Sequence, residues 1–235
     1  MIILNPQGFA EFASLKKFPN LIHKITTVKF GDQKFSKKLE VNPNFMRTLK
    51  MINKDFKFTL FQQVHGPEIA AVDKKSVGRV LANYDGGITG IKNLFLAVFV
   101  ADCFPILAYD PENQIIGIAH AGWKGIKAQI AKNLILKMKS VGATPKDIII
   151  GIGPGICGNC YEVQNVVTSK FRFVKKIDGK FFLDLEKEIL AQLKNSRVKK
   201  ANIETAGVCV FEDRNFYSYR RDQTNSRQAA LIGLR

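Results

Sequence analysis

The chain has 235 residues and a formal net charge of +16, and 46% of its residues are hydrophobic and 24% charged. This length and composition indicate one globular α/β or α+β domain, residues 1–235, and exclude a repeat or low-complexity protein. No run of about 18 apolar residues occurs, and the N-terminus lacks a signal-peptide pattern. We therefore expect no membrane span and a cytoplasmic location in which the cysteines are reduced.

The excess of lysine and arginine favours anionic partners through long-range attraction. Paired lysines recur along the whole chain, however, and no RNP-like motif, zinc-finger spacing or block of arginines accompanies them. We therefore interpret the charge as a lysine-rich solvated surface that can also gather phosphorylated substrates. We expect no dedicated nucleic-acid binding.

Strand-like and helix-like segments alternate along the chain. We predict strands over residues 23–30, 58–66, 94–110 with a bend near 102–105, 114–121, 147–156 and 204–211, and helices over 41–53, 123–142 and 183–195. The strand at 147–156 runs into a glycine loop, and the tail over 215–234 is partly strand and partly turn.

Three residues that can bind a metal or take part in catalysis stand at the ends of apolar runs. His65 follows FTLFQQV, Cys103 follows LFLAVFVAD and His120 follows IIGIA. Sites commonly form where loops leave the ends of neighbouring strands, so we expect the three side chains to converge.

Two imidazoles and one thiolate suit Zn²⁺ and leave a fourth position for water or substrate. The wide spacing matches no compact motif, so residue types alone leave two alternatives open. His120 and Cys103 can be packed core residues, or Cys103 can be a nucleophile that His65 or His120 deprotonates without a metal. The third histidine, His23, is predicted to be a strand residue near the rim of the site and not a ligand.

The segment GIGPGICGNC contains Cys157 and Cys160 in a C-x-x-C spacing. This spacing is that of a redox or metal half-site, but no second C-x-x-C completes a structural zinc site. The glycine loop can also bring its backbone N–H groups close to an anion, although it lacks the pattern of a nucleotide-binding loop.

Three arginines are concentrated in the C-terminal tail, at Arg220, Arg221 and Arg227. Guanidinium groups bind phosphate and carboxylate well, so these residues can form an anion clamp. The alternative is ordinary surface charge.

Taken together and in order, five motifs resemble successive signatures of the YfiH, or laccase-domain, family. They are QQVHG (62–66), ADCFPI (101–106), AHAGWKG (119–125), GIGPGICGNCYEV (151–163) and FYSYRRDQTNSRQ (216–228). The resemblance extends from about His23 to the C-terminus. It implies a single α/β domain, layered α/β/β/α, similar to cytotoxic necrotizing factor-type cysteine hydrolases.

The resemblance also implies a zinc site made by His65, Cys103 and His120. Copper is the less favoured metal. The three ligands are then the catalytic residues as well. Gln62 and Asp102, which flank ligands in the sequence, can orient them, and together with Arg220 and Arg227 they are the candidate substrate-binding residues.

The activity implied by the resemblance is phosphorolysis of adenosine, inosine, guanosine and methylthioadenosine, accompanied by deamination of adenosine. Arg220, Arg227 and the 153–158 loop are the candidates for binding phosphate. The family has also been labelled a peptidoglycan editing factor and a polyphenol oxidase. The alternatives are therefore an amide hydrolase acting on a UDP-muramyl-serine cell-wall precursor and, third, a copper-dependent phenol oxidase.

Four departures from the family pattern lie outside the zinc ligands. Val28 replaces an arginine, Asn159 replaces the first of two adjacent cysteines, Glu212 replaces a cysteine, and Ser226 replaces a glycine. Reaction type is therefore a firmer expectation than the identity of the substrate.

Overall fold

The computed structural model describes residues 2–35 and 40–235 and contains both strands and helices, as predicted, although the strands from Lys57 to Ala121 follow one another with no α-helix between them. In the described ranges the strands are β1 Ile3–Leu4, β2 Ala10–Glu11, β3 Leu21–Ile25, β4 Lys57–Gln62, β5 Ala70–Ala71, β6 Val80–Ala82, β7 Gly86–Thr89, β8 Leu94–Val100, β9 Phe104–Asp110, β10 Ile115–Ala121, β11 Ile149–Ile152, β12 Glu162–Val163, β13 Val174–Ile177, β14 Lys180–Leu183, β15 Ile203–Thr205 and β16 Gln228–Leu234. The α-helices are α1 Ala13–Lys16, α2 Pro43–Ile52, α3 Trp123–Lys127, α4 Ile130–Lys139, α5 Asn165–Thr168, α6 Leu185–Asn195 and α7 Tyr219–Asp222.

Two mixed sheets form the centre of the fold. One has the strand order β1-β2-β3-β16-β8-β4-β6, and the other has the order β15-β11-β9-β10-β7-β5. A small third sheet has the strand order β12-β14-β13. Strands β8 and β9 are consecutive in the sequence but belong to different sheets, so the bend predicted near 102–105 carries the chain from one sheet to the other.

Successive side chains of the central strands point to opposite faces of their sheet, and both faces are buried by packing. From β8, Leu96 and Val98 contact the second sheet, whereas Phe95 and Phe99 join the cluster that contains Phe45 of α2. The far face of the second sheet packs against α4 and α6. These layers confirm the predicted α/β/β/α arrangement.

The helix predicted over 123–142 is interrupted. Gln129 adopts a left-handed conformation with φ of 69°, which separates α3 from α4. The buried amide of Gln192 donates to the carbonyl of Ile126 at 2.7 Å and accepts from the N–H of Ala131 at 3.2 Å. The tertiary contact with α6 therefore satisfies the backbone groups at the break, which the apolar pattern does not reveal.

Four predicted strands are shorter than expected. The segment 58–66 has strand structure only up to Gln62, and 147–156 has it only over Ile149–Ile152. The segment 23–30 has strand structure only up to Ile25, and a 3-10 turn, Val28–Phe30, follows it. The segment 204–211 leaves the sheet after Thr205, because Gly207 has φ of 66° and turns the chain. Helix α2 is confirmed within one to two residues at each end, with the Asn42 side chain accepting from the N–H of Asn44 at its N-terminus.

None of the helices in the described ranges combines the length and the apolar content needed to cross a bilayer.

Candidate metal centre

The side chains of His65, Cys103 and His120 meet at one end of the two central sheets. Their ligand atoms all lie within 4.8 Å of one another. His65 follows β4 with φ of 61°, Cys103 stands in the bend between β8 and β9, and His120 is the penultimate residue of β10. The convergence expected from the three strand ends is present in the structure.

A buried carboxylate, Asp85, holds two of these residues in place. Its Oδ1 lies 2.7 Å from Nδ1 of His120, and the Asp85 backbone carbonyl accepts from the N–H of His120 at 2.7 Å. The same carboxylate accepts from the N–H groups of Val64, His65 and Gly66 at 3.0, 2.9 and 2.7 Å. Because Nδ1 of His120 is directed at Asp85, Nε2 is left to face Cys103 and the crevice.

Sequence reasoning did not identify Asp85. It stands in the Asp-Gly-Gly segment 85–87, whose pattern indicates only a break between strands. The burial that leaves this carboxylate in need of a partner is visible only in the structure, so the sequence carries no distinct signal for Asp85.

The electrostatics of the centre favour a thiolate. Burial alone would raise the pKa of the Cys103 thiol, but the neighbouring His120 and His65 lower it to about 6. Burial alone would lower the pKa of His120, whereas Cys103 and Asp85 raise it to about 9. Burial likewise opposes ionisation of Asp85, yet the bonds from His120, Gly66 and Val64 lower the pKa of its carboxyl group.

Two glycines allow the backbone to approach the centre. A Cβ atom on Gly122 would lie 3.0 Å from Sγ of Cys103 and 3.1 Å from Cδ2 of His65, so only a hydrogen atom leaves the ligands undisturbed. A Cβ on Gly125 would lie 2.8 Å from the carbonyl oxygen of Gly66. The small residues after His120 therefore serve the packing of α3 against the ligand turns.

The three ligands line an open crevice together with part of the predicted substrate set. Gln62 and Arg227 also line it, beside Lys34, Phe35, Gln63, Phe99 and Ala101. The Arg227 guanidinium lies over the ring of Tyr219 at 5.9 Å, and its Nη1 donates to the carbonyls of Thr224 and Ser226. A cationic group therefore stands at the wall of the crevice.

Asp102 and Arg220 lie beside this crevice. The Asp102 carboxylate accepts from the hydroxyl of Ser218 at 2.6 Å and from the N–H of Arg220 at 2.7 Å. The Arg220 side chain extends elsewhere, over the ring of Tyr161 and onto the carbonyl of Glu162 at 2.8 Å. Asp102 thus ties the C-terminal tail to the bend that carries Cys103, and the contacts of its carboxylate are with the tail.

The glycine loop 153–158 lies behind the bend. The N–H groups of Gly153 and Ile156 donate to the carbonyls of Pro105 and Asp102, and that of Cys157 donates to Sγ of Cys209. These three N–H groups are already bonded within the protein, and a role of the loop in binding phosphate stays a prediction.

His23 is a strand residue, as expected, but it does not lie near the rim of the crevice. It pairs with Ile232 in the middle of β16, and its Nε2 accepts from the N–H of Phe12 at 2.8 Å. Burial lowers the pKa of its imidazole to about 4. The error arose because β3 and β16 are antiparallel. The end of β16 nearest the crevice is Gln228, and His23 pairs four residues further along this strand.

The donor set fits a single borderline-soft divalent metal. One thiolate and two imidazole nitrogens converge, the second nitrogen of His120 is fixed by a carboxylate, and Gly122 leaves space between the ligands. Three protein ligands with an open side match the pattern of catalytic zinc sites more closely than that of closed structural sites.

The fold and this centre define a mixed α/β protein with a His₂Cys metal-type site at the edge of two packed sheets. Residues 23–235 match the family model described as multi-copper polyphenol oxidoreductase laccase. The chain belongs to this laccase-domain family, which confirms the resemblance and its extent.

Relatives and solved structures agree with this assignment. A purine nucleoside phosphorylase of Deinococcus radiodurans is 38% identical over 184 residues, covering 75% of this chain and 70% of the relative. The purine nucleoside phosphorylase YlmD of Bacillus subtilis is 32% identical over 205 residues, covering 79% and 74%. The solved structure of the hypothetical protein YfiH of Bacillus licheniformis has a TM-score of 0.88 at 27% identity, covering 100% of this chain and 99% of that one. YlmD of Geobacillus stearothermophilus has a TM-score of 0.89 at 25% identity, covering 100% and 98%.

The chain is therefore similar to enzymes over most of its length. The likeness to cytotoxic necrotizing factor-type hydrolases stays a prediction.

Proposed function

We propose that the chain is a zinc-dependent purine nucleoside phosphorylase with adenosine deaminase activity. The observation that carries this proposal is the convergence of His65, Cys103 and His120 in one crevice, with Asp85 fixing His120, in a chain similar to purine nucleoside phosphorylases. The substrates are adenosine, inosine, guanosine and methylthioadenosine.

Each residue of the centre has a role that its contacts support. Asp85 accepts from Nδ1 of His120, so Nε2 is the nitrogen that would bind a metal, and it would lose its own proton on doing so. Cys103 offers a thiolate at neutral pH because its pKa is lowered to about 6. Zinc bound there supplies a Lewis acid that polarises a substrate oxygen and lowers the pKa of a bound water.

Phosphorolysis breaks the bond between the base and C1′ of the ribose and joins a phosphate oxygen to C1′. The phosphate therefore needs a cationic contact close to the centre. Arg227 lines the crevice and is our first candidate, with Lys34 on the same wall. Arg220 is a weaker candidate because it does not line the crevice and its guanidinium lies against Tyr161 and Glu162.

Deamination of adenosine replaces the 6-amino group with an oxygen from water and releases ammonia. It uses the same crevice, because it requires an activated water next to the purine ring. Gln62 lines the crevice and can donate and accept hydrogen bonds, so we assign it a contact with the base.

A second candidate has one specific observation in its favour. Cys103, His120 and Asp85 form a thiol–imidazole–carboxylate series in which the thiol pKa is lowered and the imidazole pKa is raised. That series is the arrangement of cysteine hydrolases. It supports an amide hydrolase that acts on a UDP-muramyl-serine precursor, whose anionic UDP group would suit the basic surface.

A copper-dependent phenol oxidase is the least supported alternative. A multi-copper cluster needs many histidines, the chain contains three, and His23 is bonded to Phe12 away from the crevice. We further propose that the protein acts in the cytoplasm, in keeping with its four unpaired cysteines.

Product analysis separates these candidates. The purified protein is incubated with adenosine and phosphate and, separately, with UDP-muramyl-serine, and ribose 1-phosphate, free base, inosine and serine are measured. Ribose 1-phosphate and free base in equal amounts, together with inosine, are the expected products. Release of serine with no purine product would overturn the proposal in favour of the hydrolase.

A further inference from the structure

A second group of metal-type ligands lies outside the crevice. The ligand atoms of Cys157, Cys160, Cys209 and Glu212 all lie within 4.8 Å of one another, although 52 residues separate the two pairs in the sequence. We propose that these four side chains bind a second thiophilic divalent cation, of the class of Zn²⁺, in a closed structural site. The sequence offered no second C-x-x-C, but Cys209 and Glu212 supply a C-x-x-E at the same spacing.

Both pairs stand on the same kind of tight turn. The N–H of Cys160 donates to the carbonyl of Cys157 at 3.0 Å, and the N–H of Glu212 donates to the carbonyl of Cys209 at 3.1 Å. Each turn places its first and fourth residues next to each other. Two such turns facing each other present four ligands, which is the number that a closed tetrahedral site requires.

Backbone contacts hold the two turns together. Gly155 and Cys209 form a parallel bridge, and the N–H of Val210 donates to the carbonyl of Gly155 at 3.0 Å. The N–H of Cys157 donates to Sγ of Cys209 at 3.2 Å. An N–H group directed at a ligand sulfur stabilises its negative charge, which is a common supporting contact around metal-bound thiolates.

The chemistry of the group selects a cation. Three sulfur atoms and a carboxylate lie together, and the Cys160 thiol is within 3.4 Å of Oε1 of Glu212. A thiophilic cation relieves the repulsion among these ligands and binds them as thiolates.

The position of the group gives the site a structural role. Ile156, next to Cys157, donates its N–H to the carbonyl of Asp102 at 2.9 Å, directly beside Cys103. On the other turn, Nη1 of Arg221 donates to the carbonyl of Val210 at 2.6 Å. A cation that joins the two turns therefore fixes the backbone behind the crevice. This cation takes no part in the proposed reaction, so the second site goes beyond the proposed function.

Metal content measured by mass spectrometry tests the proposal. Protein purified with reductant is analysed as wild type, as Cys103→Ala, as Cys157→Ser/Cys209→Ser and as the three changes combined. We expect two zinc equivalents per chain in wild type, one in each of the first two variants and none in the third. Equal metal content in wild type and Cys157→Ser/Cys209→Ser would overturn the second site.

A milder change keeps the test valid if the double cysteine variant does not fold. Glu212→Gln in the Cys103→Ala background is compared with Glu112→Gln, the same change at an exposed carboxylate, by titrating Co²⁺ against a chelator. We expect a thiolate-to-cobalt absorption band in both, with affinity at least about tenfold weaker for Glu212→Gln only. Absence of the band in Cys103→Ala protein, or a disulfide between two of the three cysteines in freshly purified protein, would contradict the site.

Discussion

Replacing Asp85 with asparagine should weaken metal binding at the His65–Cys103–His120 centre. Oδ1 of Asp85 accepts from His120 at 2.7 Å and from the N–H of His65 at 2.9 Å. Its Oδ2 accepts from the N–H groups of Val64 and Gly66 at 3.0 and 2.7 Å. Asparagine has an NH₂ group in place of one carboxylate oxygen. Whichever oxygen it replaces, this NH₂ group cannot accept the two hydrogen bonds that the oxygen accepted. Each buried donor left unsatisfied costs about 1–3 kcal/mol, so the change costs about 2–6 kcal/mol in folding free energy.

We expect the affinity for the metal to decrease about 10–100-fold, because removing a supporting contact of a metal ligand typically has an effect of that size. Asp110→Asn is the matched control. Asp110 is also fully buried, and its two oxygens also accept four bonds, from Glu112, from the main chain and side chain of Asn113, and from Thr144. Chelator competition and urea unfolding are measured on both. A tight metal site in Asp85→Asn, or equal weakening in Asp110→Asn, would refute the assigned role.

The other predictions concern the approach to the centre, acid stability and substrate charge. Gly122→Ala should weaken metal binding by about tenfold, because overpacking costs about 1–3 kcal/mol. Gly90→Ala is the control and should leave metal binding unchanged, because a Cβ at Gly90 would have its nearest neighbour at 3.4 Å. Equal effects of the two changes in chelator competition would contradict the close approach of Gly122 to the ligands. The pKa of His23 is about 4 in the folded protein against an ordinary 6.5. Between pH 6.5 and pH 4 the imidazole is therefore protonated in the unfolded chain and neutral in the folded one, so the stability of the fold decreases as the pH drops through this range. Unfolding at several pH values should show wild type losing up to about 3 kcal/mol relative to His23→Gln over that range, and parallel curves would refute the burial argument. Arg227→Ala should raise the KM for phosphate about tenfold, whereas the exposed Arg214→Ala should leave it unchanged, and an unaltered KM in Arg227→Ala would remove that residue from the phosphate site. If the basic surface steers an anionic substrate, added salt should lower kcat/KM more than kcat, and a flat profile would leave the charge with no part in binding.

The strand ends and the ligands could be predicted because they depend on local patterns. Apolar runs ending at His65, Cys103 and His120 indicated buried strands, and the run over 94–110 indicated two strand segments joined by a bend, although the change of sheet at that bend was seen only in the structure. The family motifs then supplied the metal. These inferences required no knowledge of which strands are neighbours.

The parts that the sequence could not reveal depend on contacts between distant segments. Asp85 became a partner of His120 only through the pairing of β7 with β10, and the Cys157 turn met Glu212 only through the bridge from Gly155. The position of His23 was predicted wrongly for the same reason, because the register of β3 on β16 decides which end of the sheet it occupies. The close packing of the 153–158 loop was also not visible, because a Cβ on Gly153 or Gly155 would collide with Pro105 or Phe104 of another segment.

The central claim is that His65, Cys103 and His120 form the metal centre of nucleoside phosphorolysis. The most direct test is a zinc titration of metal-depleted protein in adenosine and phosphate, with ribose 1-phosphate measured in wild type, His120→Gln and His23→Gln. If the centre has this role, activity should rise with zinc in wild type and His23→Gln and should be lost in His120→Gln. Full activity without metal, or in His120→Gln, would contradict it.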